Sequence, residues 1–331
     1  MSANEILAYR DREMKRTSLV IHPGALGDVL LAVPAIRELR AQHPQHQLVF
    51  CARGSVARVL LECKEIDAWV SIEGSSWADV FDPDAPLKGE LKNWLSCCDC
   101  AIAWMQDEKG TLAAALRKAG ARSTIVSSPF AMRLKATHQS DRFCEIAKVS
   151  PASVVSFKPL RLPGAMRSRG RACLENTAIS LDRPLVAVHP GSGSPQKSVA
   201  VTTMARMIAK IQGEGVIPIV IEGPADREAV HSLLGKISSP ITVIRPLDIG
   251  ILAGVLSHMR LFVGHDSGVT HLAALLGVQT VAFFGPTDPE RWAPLGKHVT
   301  VIKQASSSIY DMMSFHELPL ALGSITHPNG H

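Results

Sequence analysis

The stretch that decides the fold reads Leu261-Phe262-Val263-Gly264-His265-Asp266-Ser267-Gly268-Val269-Thr270-His271-Leu272-Ala273-Ala274. It is an apolar run that ends in a polar, glycine-containing turn and continues with apolar residues at helical spacing. A second strand at residues 280–284 ends in a similar turn, Gly285-Pro286-Thr287-Asp288-Pro289. In a parallel sheet the ligand site lies beyond the carboxyl ends of the strands, where helix N-termini favour anions. The two turns therefore predict a ligand that contains phosphate.

Apolar strands and amphipathic segments alternate through both halves of the chain. Both halves also open alike, with an apolar strand that ends in His22-Pro23-Gly24 or in His189-Pro190-Gly191. Strands that alternate with helices form a parallel, doubly wound sheet. The sequence therefore predicts the α/β class, with two Rossmann-like doubly wound parallel-sheet domains facing across a cleft. The predicted strands are residues 18–21, 47–51, 68–72, 101–104 and 124–126, then 185–188, 216–221, 241–244, 261–263 and 280–284.

The domain boundaries follow from the same pattern. Residues 1–165 are expected to form the N-terminal domain, and residues 184–313 the C-terminal domain. Residues 166–183 lie in a stretch rich in Pro, Ser, Gly and Arg and are expected to link the two. Ser314 and Glu317 have the spacing of a capping box. This spacing predicts a short C-terminal helix at residues 314–322, which can pack back on the first domain.

The charge is unevenly distributed along the 331 residues. The formal net charge is +5, but residues 109–171 contain thirteen Lys and Arg against only Asp141 and Glu145, which makes this stretch +11 and the rest −6. Such a run indicates either a solvated face or an anionic partner: a phosphorylated acceptor, a lipid headgroup surface or nucleic acid. Nucleic acid is the least favoured, because single-strand binders need interleaved aromatic residues. Those present are only Phe130, Phe143 and Phe157.

The lack of recognisable targeting signals and the spacing of the cysteines favour a cytoplasmic protein with reduced thiols. No run of about 18 apolar residues is present to span a bilayer, and the segment from Met1 to Lys15 lacks the apolar core of a signal peptide. The seven cysteines do not form two C-x-x-C motifs that together could frame a zinc site, so we expect none. The cluster Cys97-Cys98-Asp99-Cys100 runs into apolar residues and is predicted to begin a strand.

Three nucleotide-binding patterns are incomplete. Residues 191–198 have the length of a Walker A loop, but Gln196 replaces its second glycine and Pro195 removes an N–H donor, which argues against a P-loop NTPase. The remaining turn still suits a diphosphate through Ser192 and Lys197, although Lys197 can equally be an ordinary exposed lysine. Neither half contains G-x-G-x-x-G, which disfavours a dehydrogenase. The D-x-D at residues 82–84 has the form of a metal motif, but its surroundings favour a surface turn.

Asp28 lies at a strand-to-helix junction, directly after the glycine turn Gly24-Ala25-Leu26-Gly27. It is either the N-cap of that helix or a general base that projects into the interdomain cleft. A helix N-terminus lowers the pKa of a carboxylate. We therefore expect Asp28 to be a weak base near neutrality that depends on positioning.

Five motifs together define a family resemblance. They are H-P-G-A-L-G-D at residues 22–28, H-P-G-S at 189–192, E-G-P-A-D at 222–226, and D-S-G-x-x-H at 266–271 with F-G-P-T-D-P at 284–289. From Ser18 to about Lys297 the chain resembles glycosyltransferase family 9, the ADP-heptose:lipopolysaccharide heptosyltransferases. The resemblance implies a GT-B fold with an acceptor-binding N-terminal domain and a nucleotide-sugar-binding C-terminal domain.

The resemblance also implies an activity and its partners. The reaction is an inverting, metal-independent transfer of a heptose, or a related sugar, from ADP-heptose to a phosphorylated lipopolysaccharide inner-core acceptor. No cofactor is implied, and the basic first half fits this anionic glycolipid at the inner face of the inner membrane. Asp28 corresponds to the base, with Gly24 and Gly27 in the acceptor-side turn, and Lys197 to the diphosphate ligand. The nucleotide-sugar residues are Ser192, Lys197, Glu222, Asp226, Asp266, Ser267, Gly268, Val269 and His271.

Some assignments stay open at this level. Either Asp226 or Glu228 can hold the ribose hydroxyls, and His271 can pack under its loop instead of contacting the ligand. Lys197-Ser198-Val199 lacks the tryptophan of the K-x-W that is usual in the family, so the pocket can admit another nucleotide sugar. Two other functions share the architecture: a GT-B sugar-nucleotide epimerase and a non-catalytic protein that binds a sugar nucleotide or a glycolipid.

Overall fold

The computed structural model describes residues 16–74, 77, 80, 89–151, 157–177, 179–194, 197–213 and 215–303. These residues form two compact units, and each unit contains a parallel sheet with helices. Unit 1 lies within Met1–Gly24 and Ala32–Ala152, and unit 2 lies within Ala25–Leu31 and Ser153–His331. The predicted α/β class with two parallel-sheet domains is confirmed.

Unit 1 contains a five-stranded sheet of strand order β3-β2-β1-β4-β5 in which all pairs are parallel. The strand order reverses between β1 and β4, which makes their carboxyl ends a topological switch point. Helix α1 (Leu26–Leu31) follows β1 in the chain but belongs to unit 2. The strands are β1 (Thr17–Ile21), β2 (Gln47–Ala52), β3 (Ala68–Ser71), β4 (Cys98–Ala103) and β5 (Ser123–Val126), and the helices are α2 (Val33–Gln42), α3 (Gly54–Glu62), α4 (Gly89–Ser96), α5 (Thr111–Lys118) and α6 (Gln139–Ala147).

Unit 2 contains a six-stranded parallel sheet of order β11-β10-β9-β6-β7-β8, and its switch point lies between β6 and β9. The strands are β6 (Leu185–His189), β7 (Ile217–Ile221), β8 (Thr242–Ile244), β9 (Leu261–His265), β10 (Gln279–Phe284) and β11 (Val299–Lys303). The helices are α7 (Gly164–Glu175), α8 (Val201–Gly213), α9 (Arg227–Leu234), α10 (Ile249–Leu256), α11 (Gly268–Leu275) and α12 (Pro289–Trp292).

All ten predicted strands are present within one to three residues of their expected limits. The central strands β1, β6 and β9 are buried along their whole length, as expected for parallel strands covered by helices, whereas β3 and β5 near the sheet edge are only partly buried. Strand β4 begins at Cys98, so the cysteine cluster is a strand entry as predicted. Strand β11 was not predicted, although the run Val299-Thr300-Val301-Ile302 has the residue types of a strand.

The stretch expected to link the domains belongs to unit 2. It contains most of helix α7, which packs closely on α10 because glycines meet at the crossing. A Cβ atom added at Gly170 would lie 2.0 Å from the carbonyl carbon of Gly254, and one added at Gly254 would lie 2.2 Å from the carbonyl oxygen of Met166. Unit 2 thus begins well before residue 184, and residues 166–183 are not a free connection.

Two expectations fall outside the described part of the chain. They are the C-terminal helix at residues 314–322 with its capping box, Ser314 to Glu317, and the D-x-D at residues 82–84. Pro195 and Gln196 of the loop after β6 also lie outside it. Among the residues that the structure describes, no helix is both long and apolar enough to cross a membrane.

Candidate functional site

The candidate site lies at the switch point of unit 2, where the segments after β6, β9 and β10 meet. Asp266 directly follows β9, Lys197 lies in the loop after β6, and Thr287 follows β10. The carboxylate of Asp266 joins all three segments, because its Oδ2 accepts hydrogen bonds from Lys197 Nζ at 2.8 Å and from Thr287 Oγ1 at 2.8 Å. The other oxygen, Oδ1, lies 3.9 Å from His271 Nε2.

Asp266 is held as an anion by these partners. Burial would raise the pKa of Asp266, but the nearby His271 and the hydrogen bonds from Lys197 and Thr287 outweigh burial and lower the pKa to about 2. Lys197 is the more accessible partner, since 27% of its side chain is exposed against 8% for Asp266. The site therefore contains a buried carboxylate that fixes a partly exposed cation.

Helix α1 places Asp28 beside this group. It packs on α11 through two glycines: a Cβ at Gly27 would lie 3.1 Å from His271 Cδ2, and one at Gly268 would lie 2.9 Å from the Cβ of Leu26. Asp28 is in the first turn of α1 rather than at its N-cap, and its carboxylate accepts a hydrogen bond from the backbone of Ala25. Glycine at both positions allows this close packing, because a Cβ at either one would force a neighbouring side chain to shift.

The expected low pKa of Asp28 is wrong. Desolvation by burial is the largest effect and raises the pKa of Asp28, and the charge of Asp266 raises it further. The hydrogen bond from Ala25 and the nearby His271 and Lys197 lower the pKa but do not compensate. The sequence argument considered the helix N-terminus and had no means of including burial, which dominates here. Asp28 is accordingly a stronger base than an exposed aspartate.

The N-terminus of α11 presents backbone donors in the same region. Ser267 is the N-cap, and its hydroxyl accepts a hydrogen bond from the N–H of Thr270 at 3.4 Å. The first N–H groups of a helix have no carbonyl partner within the helix, which here concerns Gly268 and Val269. With the helix dipole, these N–H groups favour an anion at this point.

Asp226 is engaged inside the protein. Its Oδ2 accepts hydrogen bonds from the N–H of Gly223 and from His189 Nε2, both at 2.9 Å. A Cβ at Gly191 would lie 2.0 Å from Asp226 Oδ1, so the carboxylate fills the space that this glycine leaves. Burial would raise the pKa of Asp226, but the hydrogen bond from His189 contributes most to a net lowering. Glu228, the alternative, is exposed in the first turn of α9.

Glu222 follows β7 and is buried, with 6% of its side chain exposed. Its Oε2 accepts a hydrogen bond of 2.8 Å from Arg245 Nη1, and 70% of the Arg245 side chain is exposed. Arg245, which the sequence did not single out, therefore covers the carboxylate that was expected to contact the nucleotide sugar.

His265 holds the loop after β6 and was also missed. It is the last residue of β9, is 1% exposed, and accepts a hydrogen bond at Nε2 from the N–H of Val199 at 3.0 Å. The other nitrogen, Nδ1, therefore carries the hydrogen and points to the carbonyl of Gly191 at 3.4 Å. Burial lowers the pKa of His265 to about 4. One neutral imidazole thus ties both ends of this loop, and a histidine inside an apolar strand was its only sequence signal.

The remaining predicted residues are placed as follows. Ser192 Oγ contacts Ser198 Oγ at 2.8 Å, so this hydroxyl stabilises the loop that carries Lys197. Gly24 belongs to unit 1, where its N–H donates to His22 Nδ1 at 3.0 Å. His271 is buried under the turn and reaches Asp266. Within the described ranges, no three His, Cys, Asp or Glu side chains are arranged to hold a metal ion.

Comparison with known proteins identifies the family. The profile of glycosyltransferase family 9 (heptosyltransferase) matches residues 115–317, more than half of the chain. A candidate glycosyltransferase of Haemophilus influenzae is 21% identical over 93% of this chain and 95% of its own length.

Two solved structures share the fold. ADP-heptose lipopolysaccharide heptosyltransferase II of E. coli superimposes with a TM-score of 0.75 at 18% identity, over 94% of this chain and 100% of that one. The E. coli heptosyltransferase WaaC, solved with ADP, gives 0.65 at 18% identity, over 93% and 99%. The fold is therefore GT-B, and the chain belongs to glycosyltransferase family 9.

Proposed function

We propose that this glycosyltransferase moves a heptose from ADP-heptose to a hydroxyl of a phosphorylated lipopolysaccharide inner-core acceptor, with inversion and without a metal. The observation that supports it best is the grouping in unit 2 of Asp28, whose pKa is raised, with the Lys197–Asp266 ion pair. The names of the two E. coli neighbours support the choice of ADP and heptose. A base beside a cation for a leaving phosphate is what a single displacement requires.

Asp28 would act as the general base. Its carboxylate takes the proton of the acceptor hydroxyl while that oxygen forms a bond to the anomeric carbon of the donor. The bond between the anomeric carbon and the diphosphate oxygen breaks, and its electron pair leaves with ADP. Because attack and departure occur on opposite faces in one step, the configuration inverts. A raised pKa favours proton transfer from a hydroxyl as long as Asp28 is ionised at the working pH.

Lys197 would offset the charge of the leaving diphosphate. Its ammonium is held by Asp266 but remains partly exposed, and the N–H groups of Gly268 and Val269 add donors at the start of α11. Asp266 stays ionised because its pKa is about 2, so it positions Lys197 at any pH at which the enzyme works. These groups offer the stabilisation that a divalent metal gives in other transferases.

The acceptor and the location follow from charge. The excess of Lys and Arg in residues 109–171 suits a phosphorylated glycolipid, and such an acceptor is exposed at the inner face of the inner membrane. The protein would therefore work in the cytoplasm as a peripheral membrane enzyme. Ser192 and Asp226 would act indirectly by shaping the donor loop, and Glu222 with Arg245, or Glu228, would contact the nucleoside.

The donor is the part of the proposal that the chain itself leaves most open, because Val199 stands where the family usually has tryptophan. In this protein the Val199 side chain is buried and its N–H is bonded to His265. A smaller side chain beside the donor loop can admit a different base or sugar.

Isothermal titration with ADP, UDP, GDP and NAD, without and with magnesium, tests the donor. We expect selective binding of ADP that does not depend on magnesium. Transfer from ADP-heptose to a deacylated, phosphorylated inner-core oligosaccharide is then measured with and without EDTA. Preference for UDP or GDP would replace the donor, loss of turnover in EDTA would contradict the metal-independent mechanism, and binding of no nucleotide would contradict the proposal as a whole.

A further inference from the structure

The loop between β5 and α6 exposes two large apolar side chains. Met132 is 97% exposed and Phe130 is 56% exposed, and they are the large hydrophobic residues most exposed to solvent in the described part of the chain. Single exposed apolar residues are common, but two on one short loop form a local apolar surface. The loop follows the carboxyl end of β5, on the same side of the sheet as the carboxyl end of β1, which His22 follows.

The loop is ordered by its own hydrogen bonds. The carbonyl of Ser128 accepts from the N–H of Ala131 at 3.1 Å, and the carbonyl of Ala131 accepts from the N–H of Leu134 at 3.2 Å. These are two consecutive β-turns, and they place Phe130 and Met132 at central turn positions. The apolar side chains are thus presented by a fixed backbone, so that binding would cost little ordering of the loop.

Contacts at the base of the loop fix it to the rest of unit 1. Glu145 of α6 accepts hydrogen bonds from the N–H groups of Lys135 and Ala136 at 3.0 to 3.2 Å. Arg133 donates to Ser127 Oγ at 2.9 Å, and Arg142 lies 3.5 Å from the carbonyl of Pro129. The carboxylate of Glu145 is therefore occupied by the backbone.

The charged side chains within the loop itself are all basic, whereas the carboxylate of Glu145 lies at its base. Arg133 and Lys135 are exposed beside the apolar side chains, and no Asp or Glu occurs between Ser127 and Ser140. Apolar side chains that project between basic ones are typical of surfaces that enter the headgroup region of an anionic bilayer, where the cations bind lipid phosphates.

We propose that the loop from Ser127 to His138 is a membrane-docking loop. Phe130 and Met132 enter the interfacial region of the bilayer, and Arg133 and Lys135 bind anionic headgroups. The choice of a lipid surface over another partner rests on the proposed function, whose acceptor is an anionic glycolipid. Docking holds unit 1 at the membrane and raises the local concentration of an acceptor embedded there.

Vesicle co-sedimentation tests this loop without any glycosyl donor. The wild-type protein should bind vesicles of phosphatidylcholine mixed with phosphatidylglycerol and bind poorly to phosphatidylcholine alone. The double variant F130S/M132S should lose more than about tenfold in partition, and Met132→Ser alone, which cannot disturb a core, should lose severalfold. Lys135→Gln should lose about fivefold. The matched control Lys236→Gln removes the same charge from an exposed position in unit 2 and should change nothing.

Three results of the vesicle assay would overturn the proposal: equal vesicle binding by wild type and double variant, no binding by the wild type, or equal losses for Lys135→Gln and Lys236→Gln. A change in sedimentation coefficient between wild type and double variant without vesicles would instead identify a contact between copies, and also overturns it. Transfer assays separate this loop from the site. The double variant should keep wild-type kcat/KM on a deacylated soluble acceptor and lose it on the acceptor in vesicles. A wild type that binds vesicles but transfers nothing would contradict only the proposed function.

Discussion

The two units contain the same element at their switch points, a strand that ends in His-Pro-Gly, yet the two histidines have opposite surroundings. In unit 1 the ring of His22 packs at 5.5 Å from Trp104 and at 5.1 Å from Phe143, measured between ring centroids. Its Nδ1 accepts the hydrogen bond from Gly24 and so closes the turn. The switch point of unit 1 is thus covered by aromatic rings.

In unit 2 the corresponding histidine belongs to a polar network. His189 Nε2 donates to Asp226, and Nδ1 lies 3.4 Å from Ser267 Oγ at the start of α11. His265 and Asp266, one strand away, extend the network to the loop that carries Lys197. The same topology therefore supports aromatic packing in one unit and a polar network in the other, so that a repeated fold need not repeat a function.

The largest effect is expected from Asp28, which follows the His-Pro-Gly turn of unit 1 in the chain but lies in unit 2. Asp28→Asn should lower kcat by about a hundredfold to ten-thousandfold, because the base is lost, and leave the Kd for ADP nearly unchanged. In the pH profile of wild-type kcat/KM, the acid limb should have an apparent pKa above the ordinary aspartate range, since the base must be ionised and the pKa of Asp28 is raised. That limb should be absent in the variant.

Asp141 is a matched control for Asp28. It occupies the same third position of a helix, α6 of unit 1, and burial also raises the pKa of Asp141. Asp141→Asn should therefore keep wild-type turnover and the acid limb. Equal losses of kcat in the two variants would mean that replacing an aspartate in the first turn of either helix disturbs the folded protein. The loss in Asp28→Asn would then no longer identify Asp28 as the base.

The second effect concerns His265, and it tests how far the polar network of unit 2 depends on a neutral ring. Because the folded pKa is about 4 and the ordinary value is 6.5, the unfolded chain binds a proton in this interval that the folded protein does not. The free energy of unfolding should therefore fall by about 3 kcal/mol as the pH decreases from 6.5 to 4. Urea unfolding at a series of pH values measures the fall.

His265→Asn should flatten this pH dependence. Hydrogen exchange gives a local check, because protonation of Nε2 removes the acceptor of the Val199 N–H and should lower the protection factor of that amide, measured against its intrinsic exchange rate at the same pH, below about pH 5. Parallel stability curves for the wild type and the variant would show that another group causes the acid sensitivity.

The third effect concerns the cation of the site. Lys197→Met should weaken ADP binding by about tenfold to hundredfold, the loss of a charge-assisted contact, and leave adenosine binding unchanged. Since Lys197 also lowers the pKa of Asp28, the acid limb should move to higher pH. Lys236→Met, an exposed lysine elsewhere in unit 2, serves as the control. Equal ADP affinity in the two variants would exclude Lys197 as the diphosphate ligand.

The sequence predicted the fold well because hydrophobic periodicity is local information. Strands such as β1 and β9 are buried along their whole length, and each ends in a turn that the pattern makes visible. Strand β11, at the edge of its sheet, was missed although its β-branched run was present. Helix α7 was read as a linker because its arginines and glycines mask a narrow buried stripe, formed by Met166, Gly170 and Leu174.

Motifs named the candidate site residues but did not give their environment. Two features depend on contacts between segments far apart in the chain. Asp226 is enclosed between two glycine turns, and burial raises the pKa of Asp28. His265 illustrates the same limit, because its partners Gly191 and Val199 precede it by some seventy residues. Sequence patterns name the groups at a site, whereas three-dimensional packing decides which of them remain available to a ligand.

The smallest effect tests whether close packing in unit 2 positions its chemistry. Alanine at Gly27 would place a Cβ 3.1 Å from the ring of His271, so the ring must shift by a few tenths of an ångström. We expect kcat to fall by about threefold while the Kd for ADP stays unchanged, because the substitution moves α1 relative to Asp266 but leaves Lys197 in place. The control is Gly164→Ala, also at a helix start, where a Cβ would meet nothing within 4 Å. Alanine favours the helix equally in both cases, so a loss of kcat in G27A alone would be caused by the contact with His271. Wild-type kcat in both variants would show that the site tolerates this displacement.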